Sequence, residues 1–175
     1  TADLALLKIA ANTPDGFWRA GSGKEGYHIT LKTNNTFDLR KVKKVTNDCS
    51  DSWSIDTEDS ATNYPLPANG IIFLEDDIWV DGQIDGARLT IIAAVLPDEI
   101  STRKNIIINN DLLYSNYDGS DVIGLIAQNN INVGLRSEDD LRIDAALIAQ
   151  KGRVGRHYYT SSCSATYYKR QTLTL

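Results

Sequence analysis

Four carboxylates crowd the stretch LEDDIWVDG at residues 74–82: Glu75, Asp76, Asp77 and Asp81. Carboxylates gathered on one side of a β structure can ligate Ca²⁺ or act as an acid and base pair on a polysaccharide. Strand alternation turns Glu75, Asp77 and Asp81 to one side and Asp76 to the other. Neither the EF-hand spacing nor the Gly-Asp nonapeptide of Ca²⁺-binding coils is present, so the plainer reading is acids in solvated turns. SEDD at 137–140 reads the same way. His28 and His157 are the only histidines, with no Cys or further His at zinc-ligand spacing. Ser161, Ser162 and Ser164 lack the strand-to-helix turn that exposes a nucleophile. The sequence therefore assigns no catalytic residue, no metal ligand and no cofactor.

A second stretch has the chemistry of a binding surface. RVGRHYYTSSCSATYYKR, residues 153–170, combines Arg153 and Arg156 with Tyr158, Tyr159, Tyr167 and Tyr168, followed by Lys169 and Arg170. Tyr and Arg are the anchors that protein and glycan contacts favour. The alternative is a long loop between strands whose tyrosines cover the core and which Cys163 ties down. Cys49 and Cys163 both lie in polar, Ser-rich surroundings, NDCSDS and SSCSAT. They form either a disulfide, natural outside the cytosol, or two unrelated thiols.

The bulk numbers limit the partners. The chain has 175 residues, 18 basic against 23 acidic, for a formal charge of −5. An acidic balance argues against nonspecific binding to nucleic acid or an anionic membrane. No apolar run approaches the length of a membrane span, and no signal peptide is visible. The chain starts at Thr1 and has no Met, from which a processed or removed natural beginning is expected. At 42 % hydrophobic residues there is enough for a core.

The elements that must position these residues fall into two parts. ADLALLKIAA, residues 2–11, favours helix, and NTPDG stops it. Residues 27–45 read as two strands about the Asn34-Asn35 turn. Residues 46–70, polar and carrying Pro65 and Pro67, read as a long loop and a boundary. Helix, hairpin and loop make a capping part, 1–66, ahead of a second part, 67–175.

The second part repeats a word. GLIAQNNINV at 124–133 and ALIAQKGRVG at 146–155 carry Leu-Ile-Ala-Gln 22 residues apart. Leu89, Ile91 and Ala93 align with Ile123, Leu125 and Ala127, then with Ala145, Leu147 and Ala149. Residues 137–152 also suit a helix, with Ser137 as a cap, but Gly124 beside Val122 and Ile123 makes the earlier copy a poor one. Copies of one repeat share one conformation, so both are expected to be strands.

A 22-residue period fits one coil of a β-solenoid, three short strands and three turns. The longer 34-residue interval then holds a coil plus an insertion near 96–104. On this reading the fold is mainly β, a short solenoid of about three to four coils behind an N-terminal helix and hairpin. Leu, Ile and Ala stack inward, and Gln128, Gln150, Asn129, Asn130 and Gly152 make corners where amides bond along the axis. The same spacing places Ile131 opposite Arg153. The competing fold is a β-sandwich with a chance repeat. KRQTLTL ends on an alternating pattern, from which an end open to another chain, or a truncation, is expected.

The order IWVDGQIDGARLTIIAA, NIIINNDLLY, DVIGLIAQNNINV and LRIDAALIAQKGRVGRHYY resembles a family of uncharacterised bacterial β-helical proteins attached to type IV pilin-like N-termini. LALLKIAANTPDGFW with GYHITL resembles the end of a pilin-type helix and the β segment after it. The resemblance implies a non-enzymatic cell-surface or envelope protein, a minor pilin-like or pseudopilin-like component. Its partners would be copies of itself or other pilin-like subunits, with a surface glycan as a further possibility. It would meet a membrane only through an N-terminal anchor missing here. A weaker resemblance, through VDGQIDG, is to polymer-forming bactofilins. A polysaccharide-binding or polysaccharide-degrading β-helix is the alternative function.

Overall fold

A computed structural model describes residues 3–46, 48–170 and 172–175. It is mainly β, with one helix near the N-terminus. Helix α1 (Leu4–Ala11) begins where the Asp3 carboxylate accepts the Ala5 and Leu6 amides, at 3.0 and 3.3 Å, a cap that satisfies donors the first turn leaves free. The first strands are β1 (Phe17–Arg19), β2 (Gly26–Lys32), β3 (Thr36–Val45), β4 (Ile55–Glu58) and β5 (Thr62–Pro65). Then come β6 (Ile71–Leu74), β7 (Ile78–Ile84), β8 (Arg88–Ala93), β9 (Ile106–Ile107), β10 (Leu112–Tyr114) and β11 (Val122–Ala127). The last are β12 (Ile131–Val133), β13 (Asp140–Arg142), β14 (Ala146–Ala149), β15 (Val154–Arg156) and β16 (Thr172–Thr174).

Strands that follow one another in the chain mostly lie in different sheets. One sheet runs β1-β6-β8-β11-β14, every pair parallel. A second runs β15-β12-β9-β7-β2, again parallel, and continues into β3, β4 and β5, which are antiparallel. A third line of contact joins β10 to the end of β7, Leu112 to Ile143, and β13 to β16, all parallel.

The expected alignment is present as hydrogen-bonded register: Leu89, Ile91 and Ala93 stand beside Ile123, Leu125 and Ala127. Leu125 and Ala127 stand beside Leu147 and Ala149. Both copies of the word are strands.

Alternation then separates two packed faces. Ile72, Leu74, Ile91, Ala93, Leu125 and Ala127 point into the main core. Phe73, Ile92 and Ile126, the residues between them, point outward and are covered by Leu4, Leu7 and Ala11 of α1. The helix therefore packs on the outer face of the first sheet. At the N-terminal end of the core Phe17, Phe37 and Tyr64 meet edge to face and tilted, with centroids 5.0 to 5.7 Å apart.

Three expectations need correction. Residues 46–70 are not a loop throughout: β4 and β5 both pair with β3. The alternation Tyr-Pro-Leu-Pro hides β5 because Pro weakens a strand signal, yet Pro65 sits at the strand's end, where a missing donor costs little. The 34-residue interval lengthens in two places, 94–105, which holds a 3₁₀ turn at Ile100–Thr102, and 115–121. Finally, Ile131 pairs with Val154 and not Arg153. One extra residue in the turn before β15 restores an apolar residue to that position. The turn is tight: a Cβ on Gly152 would collide with Asn130 and the carbonyl of Asn129.

The corner between the first and second sheets carries the expected amide ladder. Asp77 Oδ1 accepts from Asn105 N at 2.6 Å, Asn105 Oδ1 from Asn130 N at 3.2 Å and Asn129 Nδ2 at 3.0 Å, and Asn130 Oδ1 from Arg153 N at 3.0 Å. Each turn thus caps a backbone donor of the next one. Gln128, almost fully buried, instead holds the 94–105 segment through Val95 N and O, both 2.9 Å away.

Candidate functional site

The acids of 74–82 are spent on structure, and the expectation of solvated turns is overturned. Asp76 is buried and accepts from Ser22 N at 2.7 Å, Ser22 Oγ at 2.6 Å and Lys104 Nζ at 3.1 Å. Glu75 pairs with Lys8 of α1. Burial pushes the Asp77 carboxyl above its ordinary range, although the Asn105 donors pull the other way. These side chains face different neighbours and do not converge on a point where a cation would sit. Among the described residues no group of three or more His, Cys, Asp or Glu side chains is placed to hold a metal ion.

Asp81 belongs to a different cluster, one that the sequence did not assemble. The His28 ring lies between two carboxylates, Nδ1 2.8 Å from Glu58 and Nε2 2.9 Å from Asp81. Its side chain is 13 % exposed. Burial alone would depress the imidazole, but the two carboxylates outweigh it and hold the pKa above its usual 6.5. Burial likewise pushes Asp81 up, and His28 and Asn110 reverse that, leaving it below the usual carboxylate range. Arg40 adds a longer contact to Glu58, 3.3 Å.

His28 is on β2, Asp81 on β7 and Glu58 on β4, so the cluster staples β4 to the parallel strands. A cleft of about 180 Å³ opens beside it, lined by His28, Asp81, Trp79, Asn110, Ser54 and Arg136. Both ring nitrogens already face carboxylates, which leaves no imidazole lone pair or proton for a substrate. Arg136 is held bidentately by Asp48, both distances 2.8 Å.

The basic and aromatic segment 153–170 is folded partly inward. Arg156 donates to the carbonyls of Tyr167, Tyr168 and Leu135 at 2.9 to 3.2 Å and lies over the Tyr159 ring, 4.7 Å from its centroid. Tyr159 is buried, its hydroxyl donates to Asp51 O at 2.6 Å, and burial pushes its pKa to about 12. Tyr167 is half-buried between Arg136 and Arg170. Tyr158 is 92 % exposed, and Arg153 meets His157 at the surface. Tyr168, half-buried, packs under Lys169.

Cys49 and Cys163 form a disulfide across 114 residues, their Cα atoms 5.2 Å apart. It fastens this segment to the loop before β4. A structural disulfide belongs to an oxidising compartment outside the cytosol. No helix among the described residues is long and apolar enough to cross a membrane.

One further arrangement emerges only from the topology. β14, β15 and β16 are the last strands of their respective sheets and all lie at the same end of the stack. Each has one hydrogen-bonded neighbour, and among the described residues nothing pairs on its other side. At the opposite end β2 is followed by antiparallel β3, β4 and β5. The first sheet ends there in β1, which among the described residues pairs only with β6, so the antiparallel extension covers the second sheet alone. Comparison with known protein families, characterised proteins and solved structures finds no match for the chain.

Proposed function

We propose that this chain is a non-enzymatic structural module of the cell surface or envelope, a short β-solenoid that works by assembly through its unpaired end. On this reading the three lines of parallel pairing are the faces of one coil, and β14, β15 and β16 are the strands of its last turn. The observation that carries the proposal is the gathering of three strand edges, β14, β15 and β16, at one end of the described parallel ladders. Free edges are templates for strand addition. Natural proteins blunt them with Pro, Lys or bulges, and β14, Ala146-Leu147-Ile148-Ala149, has none of these. Pilin-like neighbours, as the sequence resemblance implies, would be subunits of such an assembly.

Light scattering over a wide concentration range tests the reading. Species larger than one chain are expected, dissociated by edge substitutions such as Ala149→Pro and insensitive to Asp77→Asn. A single chain at every concentration, or hydrolysis of a polysaccharide that Asp81→Asn abolishes, would overturn it.

A further inference from the structure

We infer that the chain carries a binding site for the carboxylate of a small organic acid, in the cavity that the 153–170 segment forms with β12, β13 and β16. The site is lined from within one chain and does not depend on pairing of the strand edges.

Arg156 is a cation without an anion. It is half-buried, and its Nη donors go to three carbonyls, those of Tyr167, Tyr168 and Leu135. Carbonyls bring dipoles but no charge. The carboxylates on either side are engaged elsewhere: Asp48 holds Arg136 and Asp139 holds Arg170. Among the described residues none forms an ion pair with Arg156. Burial pushes its pKa below the usual range, and the nearby Arg170 adds to the push. A guanidinium taken out of water ordinarily keeps a counter-charge, because an unpaired desolvated charge is costly.

Both guanidiniums line one cavity of about 460 Å³, together with Lys169 and Glu138. Arg170, its side chain 13 % exposed, donates to Asp139 at 2.7 Å. Glu138 feels burial first and then Asp111 and Asp81, which raise its pKa. Three cations against these two carboxylates leave one positive charge over, a match for a monoanion. Ser137 is an independent sign. It lines the same cavity, is 2 % exposed, and among the described residues its hydroxyl has no hydrogen-bond partner. The Nε–H groups of Arg156 and Arg170 are also buried without an acceptor. Three donors around one cavity thus lack an acceptor, and bonds to a carboxylate are the strongest they can make. The other walls are apolar: Val133, Leu141 and Leu173 come from three strands. The volume exceeds that of a bare inorganic ion and falls in the range of small-molecule sites, which pair apolar walls with a few placed polar groups. A carboxylate on a hydrocarbon or aromatic body fits both halves.

Titration of the disulfide-intact chain with benzoate and with butyrate is the test, followed by calorimetry and by the Nε–H nuclear magnetic resonances of Arg156 and Arg170. Saturable shifts of both resonances are expected. Benzamide, with the same shape and no charge, should give none, and inorganic phosphate should bind more weakly. Ser137→Ala should weaken carboxylate binding about tenfold, the loss of one bond to a charged group, with the circular dichroism spectrum unchanged. Arg156→Gln should abolish binding, but it also removes the contacts to Tyr167 and Tyr168, so Ser137→Ala decides. No saturable shift with either acid, equal binding of benzamide, or binding that ignores Ser137→Ala would overturn the site. Phosphate bound as tightly as benzoate would overturn the assignment to an organic acid.

Discussion

Replacing His28 with Leu should destabilise the chain most in mildly acidic solution and progressively less as the pH rises. The substitution leaves Asp81 and Glu58, with side chains 14 % and 29 % exposed, facing each other without the cation that separates them. Breaking a fully buried pair costs about 3–5 kcal/mol, and the partial exposure of Glu58 lowers the expectation to roughly 2–3 kcal/mol. The pH dependence has a definite sign. His28 has a raised pKa in the folded chain, so its contribution is complete below the usual 6.5 and is lost as pH climbs through the folded value. Asp81 has a lowered pKa, so its contribution is present above the usual 3.8 and is lost as pH falls through the folded value. The clamp is therefore strongest between about pH 4 and pH 6.5. Urea denaturation of both proteins at about pH 5.5, 7 and 9 measures the difference directly. Parallel stability profiles across that range would refute a charged His28 between the two carboxylates.

Other perturbations test the remaining layers. Reducing Cys49–Cys163, which spans 114 residues, should cost about 3–5 kcal/mol and expose 157–170 to protease, read by melting and limited proteolysis with and without reductant. Leu125→Ala, fully buried between Ile91 and Leu147, should cost about 3–5 kcal/mol, while Leu147→Ala at the unpaired end should cost about half that or less, both by urea titration. Asn132 is buried beside Ile107, and among the described residues neither amide atom has a hydrogen-bond partner. Asn132→Val should raise stability by about 1–2 kcal/mol, and a loss of that size would show that the amide is satisfied in solution.

Much of the parallel core was legible because its period is short and its residues distinctive. Leu-Ile-Ala-Gln repeats with the inward positions unchanged, and register follows from alternation once two copies are aligned. The helix and the Asn34-Asn35 hairpin announce themselves through local propensity, and Asn35 adopts the positive φ of 59° that such a turn needs. What stayed hidden depends on partners distant in sequence. Asp76 and Asp77 look like solvated acids until Ser22, Lys104 and Asn105 are brought to them. His28 and Glu58 are 30 residues apart on strands whose pairing no local pattern fixes, and β4 itself, IDTE, carries little strand propensity. For 153–170 composition alone could not decide between a surface and a covering loop. Arg156 and Tyr159 turn inward because carbonyls and a ring await them there, while Tyr158, between them, faces solvent.

Parallel stacking raises a problem that antiparallel sheets meet more simply. Every strand of a parallel sheet needs a neighbour on both sides, and no strand at an end can supply its own. At the N-terminal end the second sheet solves this by reversing direction: the turn at Asn35 sends β3 back along β2, β4 and β5 cover β3, and the His28 staple holds β4 in place, while the first sheet ends in β1. That solution requires acids, a histidine and an aromatic plug, and each has been found in its place. Among the described residues no equivalent reversal follows β14 or β15. β14 instead presents an uncharged edge, and Ile148, Val154 and Leu173 expose apolar side chains there, a surface whose free energy is lowered by a matching strand. If the proposed assembly occurs, the edges of β14, β15 and β16 offer it a strand template that the antiparallel extension of β2 does not.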